Sequence, residues 1–136
     1  MVLVIDASVT LAWCFADEAT ERADRILDRL GRDEALAPAI WPLEVANGLR
    51  TAERRGRLDP AELPRLRELL GALRVRVESV ELGAAIGEVL EAARTYELTA
   101  YDAAYLTLAS RRGLALATVD ERLRAACERA GVEVAR

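Results

Sequence analysis

Four carboxylates occupy comparable positions in the sequence, each where a strand ends or a helix begins. Asp6 directly follows the apolar run 2–5, and Asp120 follows a second apolar run. Glu44 and Asp102 fall in the first turns of predicted helices. A carboxylate at the end of a buried strand needs a partner, because an unpaired buried charge is costly. Carboxylate oxygens are the ligands that Mg²⁺ and Mn²⁺ prefer, so we expect such an ion to be that partner.

The same acidic positions also have a purely structural interpretation. Acidic side chains near helix N-termini are favoured by the helix dipole, by roughly 0.3–1 kcal/mol each. Thr99 and Asp102 have the spacing of a capping box, and so do Thr118 and Glu121. Ser8 is the predicted N-cap of the first helix. Asp6 therefore precedes the predicted cap of its helix. Of the four carboxylates, it is the one whose presence helix capping explains least.

The surrounding pattern alternates strands with helices. Apolar runs predict strands at residues 2–5, 35–37, 75–80 and 114–117, and a closing edge strand at 132–134. Apolar residues recur every three or four positions between them, which is typical of amphipathic helices. Helix starts are predicted at Ser8, Asp17–Glu18, Pro42, Asp59, Leu82, Thr99 and Thr118. This alternation predicts a three-layer α/β/α fold, in which a parallel sheet of four to five strands has helices on both faces.

The predicted topology bears on the four carboxylates. In an open α/β sheet, helices that directly follow strands start at the strands' carboxyl edge, where ligands bind. Asp6 and Asp120 lie at this edge, and Glu44 joins them if the short second strand leads into its helix. Asp102 needs a further assumption, because a helix precedes it. Carboxylates gathered in one pocket repel each other, and a bound hard cation removes that repulsion. A metal site of this kind can activate water for attack on a phosphodiester.

Composition narrows the classes of protein that fit. The chain has 136 residues, of which 52% are apolar and 31% charged, so we expect one globular domain over residues 1–136. It contains no His and no Lys, which excludes histidine-based catalysis, histidine-ligated zinc and a Walker A loop. No apolar run approaches the ~20 residues of a membrane span, and no charged leader precedes the first strand, so we expect a cytoplasmic protein without membrane contact.

Other features leave alternatives open. Cys14 and Cys127 lack metal-ligand spacing and are expected to be buried core thiols. The net charge of −4 either counts against a nucleic-acid partner or reflects an acidic site with basic residues elsewhere. Tyr101 and Tyr105 could stack on bases, although buried packing is favoured. The densest basic cluster either binds RNA phosphates or is a solvated helix face; it comprises Arg50, Arg54, Arg55 and Arg57.

Four segments in order cover nearly the whole chain: residues 4–9 (VIDASV), 42–47 (PLEVAN), 101–106 (YDAAYL) and 117–123 (ATVDERL). Together they resemble PIN-domain ribonucleases and, within that family, the VapC-type toxins of bacterial and archaeal toxin–antitoxin modules. The resemblance implies a PIN-like fold and an Mg²⁺-dependent endoribonuclease in which metal-activated water hydrolyses RNA. No acidic position of the family pattern is missing.

The resemblance also implies roles for individual residues. The magnesium site, in which Mn²⁺ could substitute, would consist of Asp6, Glu44, Asp102 and Asp120. Ser8, Asn47 and Thr118 would orient the carboxylates or bound water. For Ser8 and Thr118 the alternative role is helix capping. Asn47 has a weaker structural alternative, because Asn is unfavourable inside a helix. The expected partners are an RNA substrate, a second copy in a homodimer, and a cognate antitoxin whose C-terminal segment blocks the groove.

Two competing hypotheses remain at this stage. A non-catalytic PIN-like interaction module would act through its antitoxin partner, with the acids only capping helices. A phosphatase of the DxD type fits poorly, because Ser8 stands where the second Asp is required. Changing a carboxylate to an amide is expected to stabilise the metal-free protein if the acids repel each other, and to destabilise it if they are caps.

Overall fold

The computed structural model describes residues 2–136, and Met1 lies outside the described residues. Four parallel strands form one sheet in the order β3–β2–β1–β4. Their bounds are Val2–Ile5 for β1, Glu34–Pro38 for β2, Val75–Glu78 for β3 and Leu116–Ala117 for β4. The predicted closing strand at 132–134 is reduced to one bridge between Leu116 and Val134. The prediction of a parallel sheet is therefore confirmed, with four strands.

Helices connect the strands. Their bounds are Ala7–Cys14 for α1, Glu21–Leu30 for α2, Trp41–Arg54 for α3, Leu63–Gly71 for α4, Leu82–Ala84 for α5, Leu90–Tyr96 for α6, Ala100–Arg112 for α7 and Glu121–Ala130 for α8. A 3₁₀ turn at Pro60–Glu62 precedes α4, and a π-helical segment at Ala85–Val89 joins α5 to α6. None of the helices in residues 2–136 combines the length and the apolar character needed to cross a bilayer.

The start of α2 differs from the prediction. Asp17 and Glu18 do not open this helix, which begins at Glu21. The backbone N–H of Ala23 donates a hydrogen bond to the Thr20 hydroxyl over 3.0 Å, so Thr20 is the N-cap. Asp17 and Glu18 instead lie in the preceding turn, where their carboxylates pair with Arg57 at 3.0 and 3.2 Å.

The sheet is buried on both faces. Leu3 and Ile5 of β1 pack in one core together with Ile26 of α2, whereas Val4 points to a second core that contains Leu106 of α7. Successive side chains of a strand point to opposite faces, so an uninterrupted apolar strand requires a helical layer on each side. The predicted three-layer α/β/α arrangement is confirmed. Cys14 and Cys127 are buried free thiols, as expected, and burial raises the pKa of each to about 11.

A close contact between α1 and α3 brings the first two acidic segments side by side. A Cβ atom added to Gly48 of α3 would lie 2.4 Å from Cδ1 of Leu11 on α1. Atoms at that distance overlap, so a side chain at position 48 would displace Leu11. The glycine thereby permits the approach of the helix that follows Asp6 to the helix that carries Glu44.

Candidate active site

All four predicted carboxylates line one open pocket at the carboxyl edge of the sheet. Asp6 and Asp120 follow β1 and β4, and Glu44 and Asp102 come from the first turns of α3 and α7. The pocket has a volume of about 520 Å³, which leaves room for water and part of a substrate beside an ion. The other residues lining it are Ala7, Ser8, Leu11, Ile40, Leu43, Asn47, Gly48, Tyr101 and Tyr105.

The Asp6 carboxylate is buried and held by several donors. Its Oδ1 accepts hydrogen bonds from the Val9 backbone N–H over 2.9 Å and from the Ser8 hydroxyl over 2.8 Å. Its Oδ2 accepts a short hydrogen bond from the Thr118 hydroxyl. Asp6 is therefore the N-cap of α1, and the prediction of Ser8 as that cap is wrong. The physical reason is that Asp and Ser are about equally good caps, and here the carboxylate reaches the Val9 N–H.

Ser8 and Thr118 use their hydroxyls on the site instead of on their helices. Each also accepts a backbone hydrogen bond: Ser8 Oγ from the Val119 N–H over 3.1 Å, and Thr118 Oγ1 from the Asp120 N–H over 3.0 Å. A hydroxyl that accepts from a backbone N–H keeps its proton free to donate to a carboxylate. These two side chains therefore tie the start of α1 to the loop after β4.

Asp120 caps the last helix. Its Oδ1 accepts hydrogen bonds from the backbone N–H groups of Arg122 and Leu123, over 2.9 and 3.1 Å. The predicted capping box of Thr118 with Glu121 is therefore wrong. Thr118 lies three residues before the first helical residue, Glu121, and is buried against Asp6. Asp120 occupies the capping position itself.

Glu44 has no capping role in the described structure. Helix α3 has no side-chain cap, and Pro42 takes up a position in its first turn. The Glu44 Oε1 instead accepts a hydrogen bond from the hydroxyl of Tyr105, over 2.6 Å. Tyr105 is only 1% exposed, which confirms that it is buried, but its hydroxyl reaches the pocket. The sequence did not predict this contact. The available signal was that Tyr105 follows Asp102 by three residues, which places the side chains of Tyr105 and Asp102 on one face of α7.

Asp102 lies in the first turn of α7, whose N-cap is Thr99, as predicted. The Asp102 backbone N–H donates to the Thr99 hydroxyl over 3.1 Å. Burial raises the pKa of the Asp102 carboxyl, and the negative charges of Asp120 and Glu44 raise it further; Arg122 and a hydrogen bond with Thr99 oppose the shift. The side chain of Asp102 thus carries an unfavourable charge without capping its own helix.

The electrostatics of the pocket suit a cation. The pKa of Asp6 is raised to about 6, mainly by burial and also by the negative charge of Asp120. The hydrogen bonds from Thr118, Val9 and Ser8 lower this pKa but do not cancel the effect of burial. Within residues 2–136, no arginine forms an ion pair with any of the four carboxylates. Oxygen donors that destabilise one another's charges fit a hard divalent ion. Within residues 2–136, no three acidic or cysteine side chains lie close enough together to hold a metal ion in this arrangement.

Comparison with known proteins identifies the family of this chain. The family model described as the PIN domain matches residues 3–129. The chain belongs to the PIN-domain family. It is 35% identical over 127 residues to Ribonuclease VapC3 of Pyrobaculum aerophilum, covering 90% of this chain and 92% of the relative. The resemblance to PIN domains and VapC-type proteins is therefore confirmed.

Solved structures place the PIN fold of this chain among known examples. The crystal structure of PAE2754 from Pyrobaculum aerophilum superimposes with a TM-score of 0.68 and 31% identity, over 93% of this chain and 87% of that one. The crystal structure of FitAcB from Neisseria gonorrhoeae gives a TM-score of 0.62 and 21% identity, over 100% of this chain and 97% of the other. The second likeness concerns the fold alone.

The remaining predicted residues of the PIN domain lie around the pocket mouth. Asn47 is exposed on the pocket wall, one helical turn after Glu44. Tyr101 is 57% exposed on the same pocket, so the expectation that it would be buried is wrong. It is the first-turn neighbour of Asp102, and its position in that turn leaves the ring outside the core.

The arginines of the predicted basic cluster differ in their environment. Arg50 pairs with Glu53 over 2.6 Å, and Arg57 pairs with Asp17 and stacks on Phe15, with its guanidinium 5.1 Å from the ring centre. Arg54 and Arg55 are exposed, and neither forms an ion pair with a residue in the described range 2–136. Only two members of the cluster therefore present a free positive charge.

Proposed function

We propose that this PIN domain, taken as residues 1–136, is a divalent-metal-dependent endoribonuclease and the toxin component of a VapBC-like toxin–antitoxin module, acting in the cytoplasm. One observation carries the proposal. Carboxylates from four separate segments line a single open pocket, and two of them, Glu44 and Asp102, do not cap a helix. The relationship to Ribonuclease VapC3 supports RNA as the substrate class.

The residues have distinct proposed roles. The four carboxylates would hold Mg²⁺, or Mn²⁺ in its place. When bound, such an ion supplies water activation and neutralises charge on the phosphodiester. Ser8 and Thr118 fix the orientation of the Asp6 carboxylate through the hydrogen bonds described above. Asn47, exposed one turn beyond Glu44, would contact bound water or the RNA.

RNA would enter across the exposed side of the pocket. Arg54 and Arg55 lie on and just after α3, the helix that carries Glu44. About ten residues at 1.5 Å per residue place them roughly 15 Å along the helix from Glu44, where they could contact phosphates upstream or downstream of the cleaved bond. Tyr101, exposed beside Asp102, offers a face on which a base can stack.

The test of this function uses the purified protein and single-stranded RNA. We expect cleavage with Mg²⁺ or Mn²⁺, none with EDTA, and none by Asp6→Asn or Asp102→Asn, both of which should remain folded in urea titrations. Asp28→Asn makes the same chemical change at an exposed position of α2 and should leave cleavage unchanged. Cleavage by Asp102→Asn at the wild-type rate would refute the proposed site.

The alternative is a non-catalytic module that acts through its antitoxin partner. The observation in its favour is that Asp6 and Asp120 both cap helices, so stability alone explains their presence. This hypothesis predicts that the protein binds no Mn²⁺ in a calorimetric titration. Measurable Mn²⁺ binding that Glu44→Gln weakens would exclude it, because α3 has no side-chain cap and Glu44 therefore does not cap it.

We also propose that the protein forms a homodimer through a face composed of α5, the π-helical segment and α6. Leu82, Ile86 and Leu90 recur every four residues and are 75%, 64% and 45% exposed. Gly83 and Gly87 lie beside them, and a Cβ at either position would meet nothing within 4 Å. Glycine inside a helix costs about 1 kcal/mol relative to alanine, so two open glycines next to exposed aliphatics favour close approach of another helix.

Charge and size complementarity favour a second copy in antiparallel orientation. Glu81 stands at the amino end of this face and Arg94 at its carboxyl end, and neither has an ion-pair partner within residues 2–136. Antiparallel pairing about a two-fold axis brings these opposite charges towards each other. It can also place Ile86 over the partner's Gly87. Such an isologous contact is the commonest arrangement in soluble oligomers.

The oligomeric state tests this face. Sedimentation equilibrium should give a dimer for the wild type and a monomer for Ile86→Glu. Leu43→Glu is the matched control, since Leu43 is 67% exposed but lies at the pocket, and it should remain dimeric. A wild-type monomer at micromolar concentration would refute the homodimer without affecting the nuclease proposal.

A further inference from the structure

Tyr105 connects the two helix-borne carboxylates of the site. It follows Asp102 by one turn of α7, and its hydroxyl donates to Glu44 Oε1 of α3 over 2.6 Å. The ring is buried in the core that contains Val4, Leu36 and Leu108. The phenol therefore joins a rigid interior to a carboxylate at the pocket surface.

The chemistry of this donor matters for the site. An arginine in the same place would hold Glu44 but would also neutralise it. A phenol donates one hydrogen bond and carries no charge, so the carboxylate keeps its full negative charge for a cation. A tyrosine hydroxyl is protonated at neutral pH, so it is available to donate to Glu44 Oε1.

The geometry leaves one oxygen of Glu44 uncommitted. Oε1 accepts from Tyr105, and Glu44 takes part in no ion pair with a residue of the described chain. A carboxylate on a surface helix turn normally samples several rotamers, and fixing one has an entropic cost. The short bond to a buried ring fixes the rotamer before any ion arrives.

We propose that Tyr105 is a positioning residue for Glu44: it holds Oε1 and thereby presents Oε2 to the metal ion. The inference rests on the proposed function, because it assumes that Glu44 serves a cation. It goes beyond that function by assigning a role to a residue outside the four carboxylates. The same contact makes α7 the common support of Asp102 and, through Tyr105, of Glu44.

The test is Tyr105→Phe, which keeps the buried ring and removes only the hydroxyl. We expect Mn²⁺ affinity, measured by calorimetry, to fall about tenfold, the lower end of the range for losing a group that orients a metal ligand. The kcat for RNA cleavage should fall by a similar factor while KM for RNA stays within twofold. Tyr96→Phe is the matched control: Tyr96 ends α6 under the guanidinium of Arg129, and its variant should bind Mn²⁺ like the wild type.

A double-mutant cycle separates action through Glu44 from a general effect on the core. In a Glu44→Gln background, Tyr105→Phe should cause no further loss of Mn²⁺ affinity. Equal losses in the two backgrounds would overturn the proposal, and so would an affinity of Tyr105→Phe within twofold of the wild type. Urea unfolding of each variant identifies a loss caused by incomplete folding, in which case Tyr105→Met, which also lacks the donor, replaces Tyr105→Phe in the same cycle.

The cycle also distinguishes this proposal from the proposed function. Wild-type protein that binds Mn²⁺ but does not cleave RNA would refute the ribonuclease function, while the role of Tyr105 would stand or fall on the binding cycle alone. Wild-type protein that cleaves RNA, together with an unaffected Tyr105→Phe variant, would refute the role of Tyr105 alone. Wild-type protein that binds no Mn²⁺ would overturn both.

Discussion

Asp6 and Asp120 lie at the ends of strands and cap the helices that follow, whereas Glu44 and Asp102 come from helix turns and cap nothing. The strand-end pair accepts several backbone and hydroxyl hydrogen bonds. The helix-borne pair is placed by Tyr105 and by the packing of α7. Helix capping alone would therefore retain the strand-end pair, but it gives no reason to retain the helix-borne pair.

This difference reverses the expectation drawn from the sequence. There, Asp6 was the acid that capping explained least, because Ser8 was assigned as the cap. In the structure Asp6 is the cap, and Glu44 and Asp102 are the residues that helix capping leaves unexplained. The case for a metal site depends most on these two side chains, so experiments on them discriminate best.

The largest expected effect is at Asp102. Asp102→Asn should lower RNA cleavage by at least ~100-fold, the upper range for losing a group that only orients a metal ligand. The free energy of unfolding of the metal-free protein should rise or stay constant, because burial and two like charges already disfavour the ionised carboxyl. Activity assays and urea titrations with EDTA measure the two quantities. A variant that is both inactive and less stable would place Asp102 with the structural pair.

The pH dependence of stability probes Asp6. Its pKa is raised from 3.8 to about 6 in the folded chain, so the folded state favours the protonated form. The stability from this shift is fully present below about pH 4 and is lost as the pH rises through 6. The loss amounts to roughly 3 kcal/mol, at about 1.4 kcal/mol per pKa unit.

Urea titrations of the metal-free protein between pH 4 and pH 8 measure this loss. Asp102 contributes in the same direction, so the comparison of wild type with Asp6→Asn isolates Asp6. The variant should lose less stability over this range. Parallel curves for the two proteins would contradict the buried, ionisable state of Asp6.

A smaller effect tests the capping role of Asp120 directly. Asp120→Ala should lower the free energy of unfolding by about 1 kcal/mol, because α8 loses the acceptor for two N–H groups. Asp120→Asn should preserve it, since Asn and Asp cap equally well. Asp102→Ala is the matched change without a cap. An equal loss at both positions would erase the distinction between the two pairs.

This equivalence of Asn and Asp also revises the diagnostic use of amide substitutions. At a capping position an amide removes the charge and keeps the cap, so it cannot separate the two roles by a loss of stability. The substitution Asp120→Ala removes both the charge and the cap. The amide is informative at Glu44 and Asp102, where no cap is involved.

The smallest effect concerns RNA binding on the side of α3. Arg54→Ala and Arg55→Ala should each raise KM a few-fold and lower the salt dependence of binding by about one counterion. Fluorescence anisotropy with labelled RNA across a salt series measures this slope. Arg67→Ala, an exposed arginine of α4, serves as the control. Identical slopes for all three variants would leave the arginines as a solvated helix face.

Much of the fold was predictable because it follows from hydrophobic pattern. The β-branched apolar run at Val2–Ile5 predicted a strand buried between two layers, and the structure has one there. The recurrence of acids after strands predicted one shared pocket, which the topology provides. The π-helical segment at Ala85–Val89 gave no signal, since a single wide turn hardly changes an amphipathic pattern.

The details of the site were less predictable, for physical reasons. Asp6, Ser8 and Thr118 can all cap helices with similar free energies, so residue type cannot rank them; the choice depends on which side chain reaches the backbone. The contact between Tyr105 and Glu44 joins residues 61 positions apart. Their distance depends on how α3 and α7 pack, which no local pattern specifies.

A chain of two hydrogen bonds beside the site gives it an optical reporter. The Trp41 indole N–H donates to the Thr10 hydroxyl over 3.0 Å, and that hydroxyl donates to the Asp6 carbonyl over 2.7 Å. Trp41 begins α3, one turn before Glu44. A fluorophore is thus built between the backbone of one carboxylate and the helix of another. In a Trp13→Phe background, tryptophan emission would follow the assembly of the pocket without any added label.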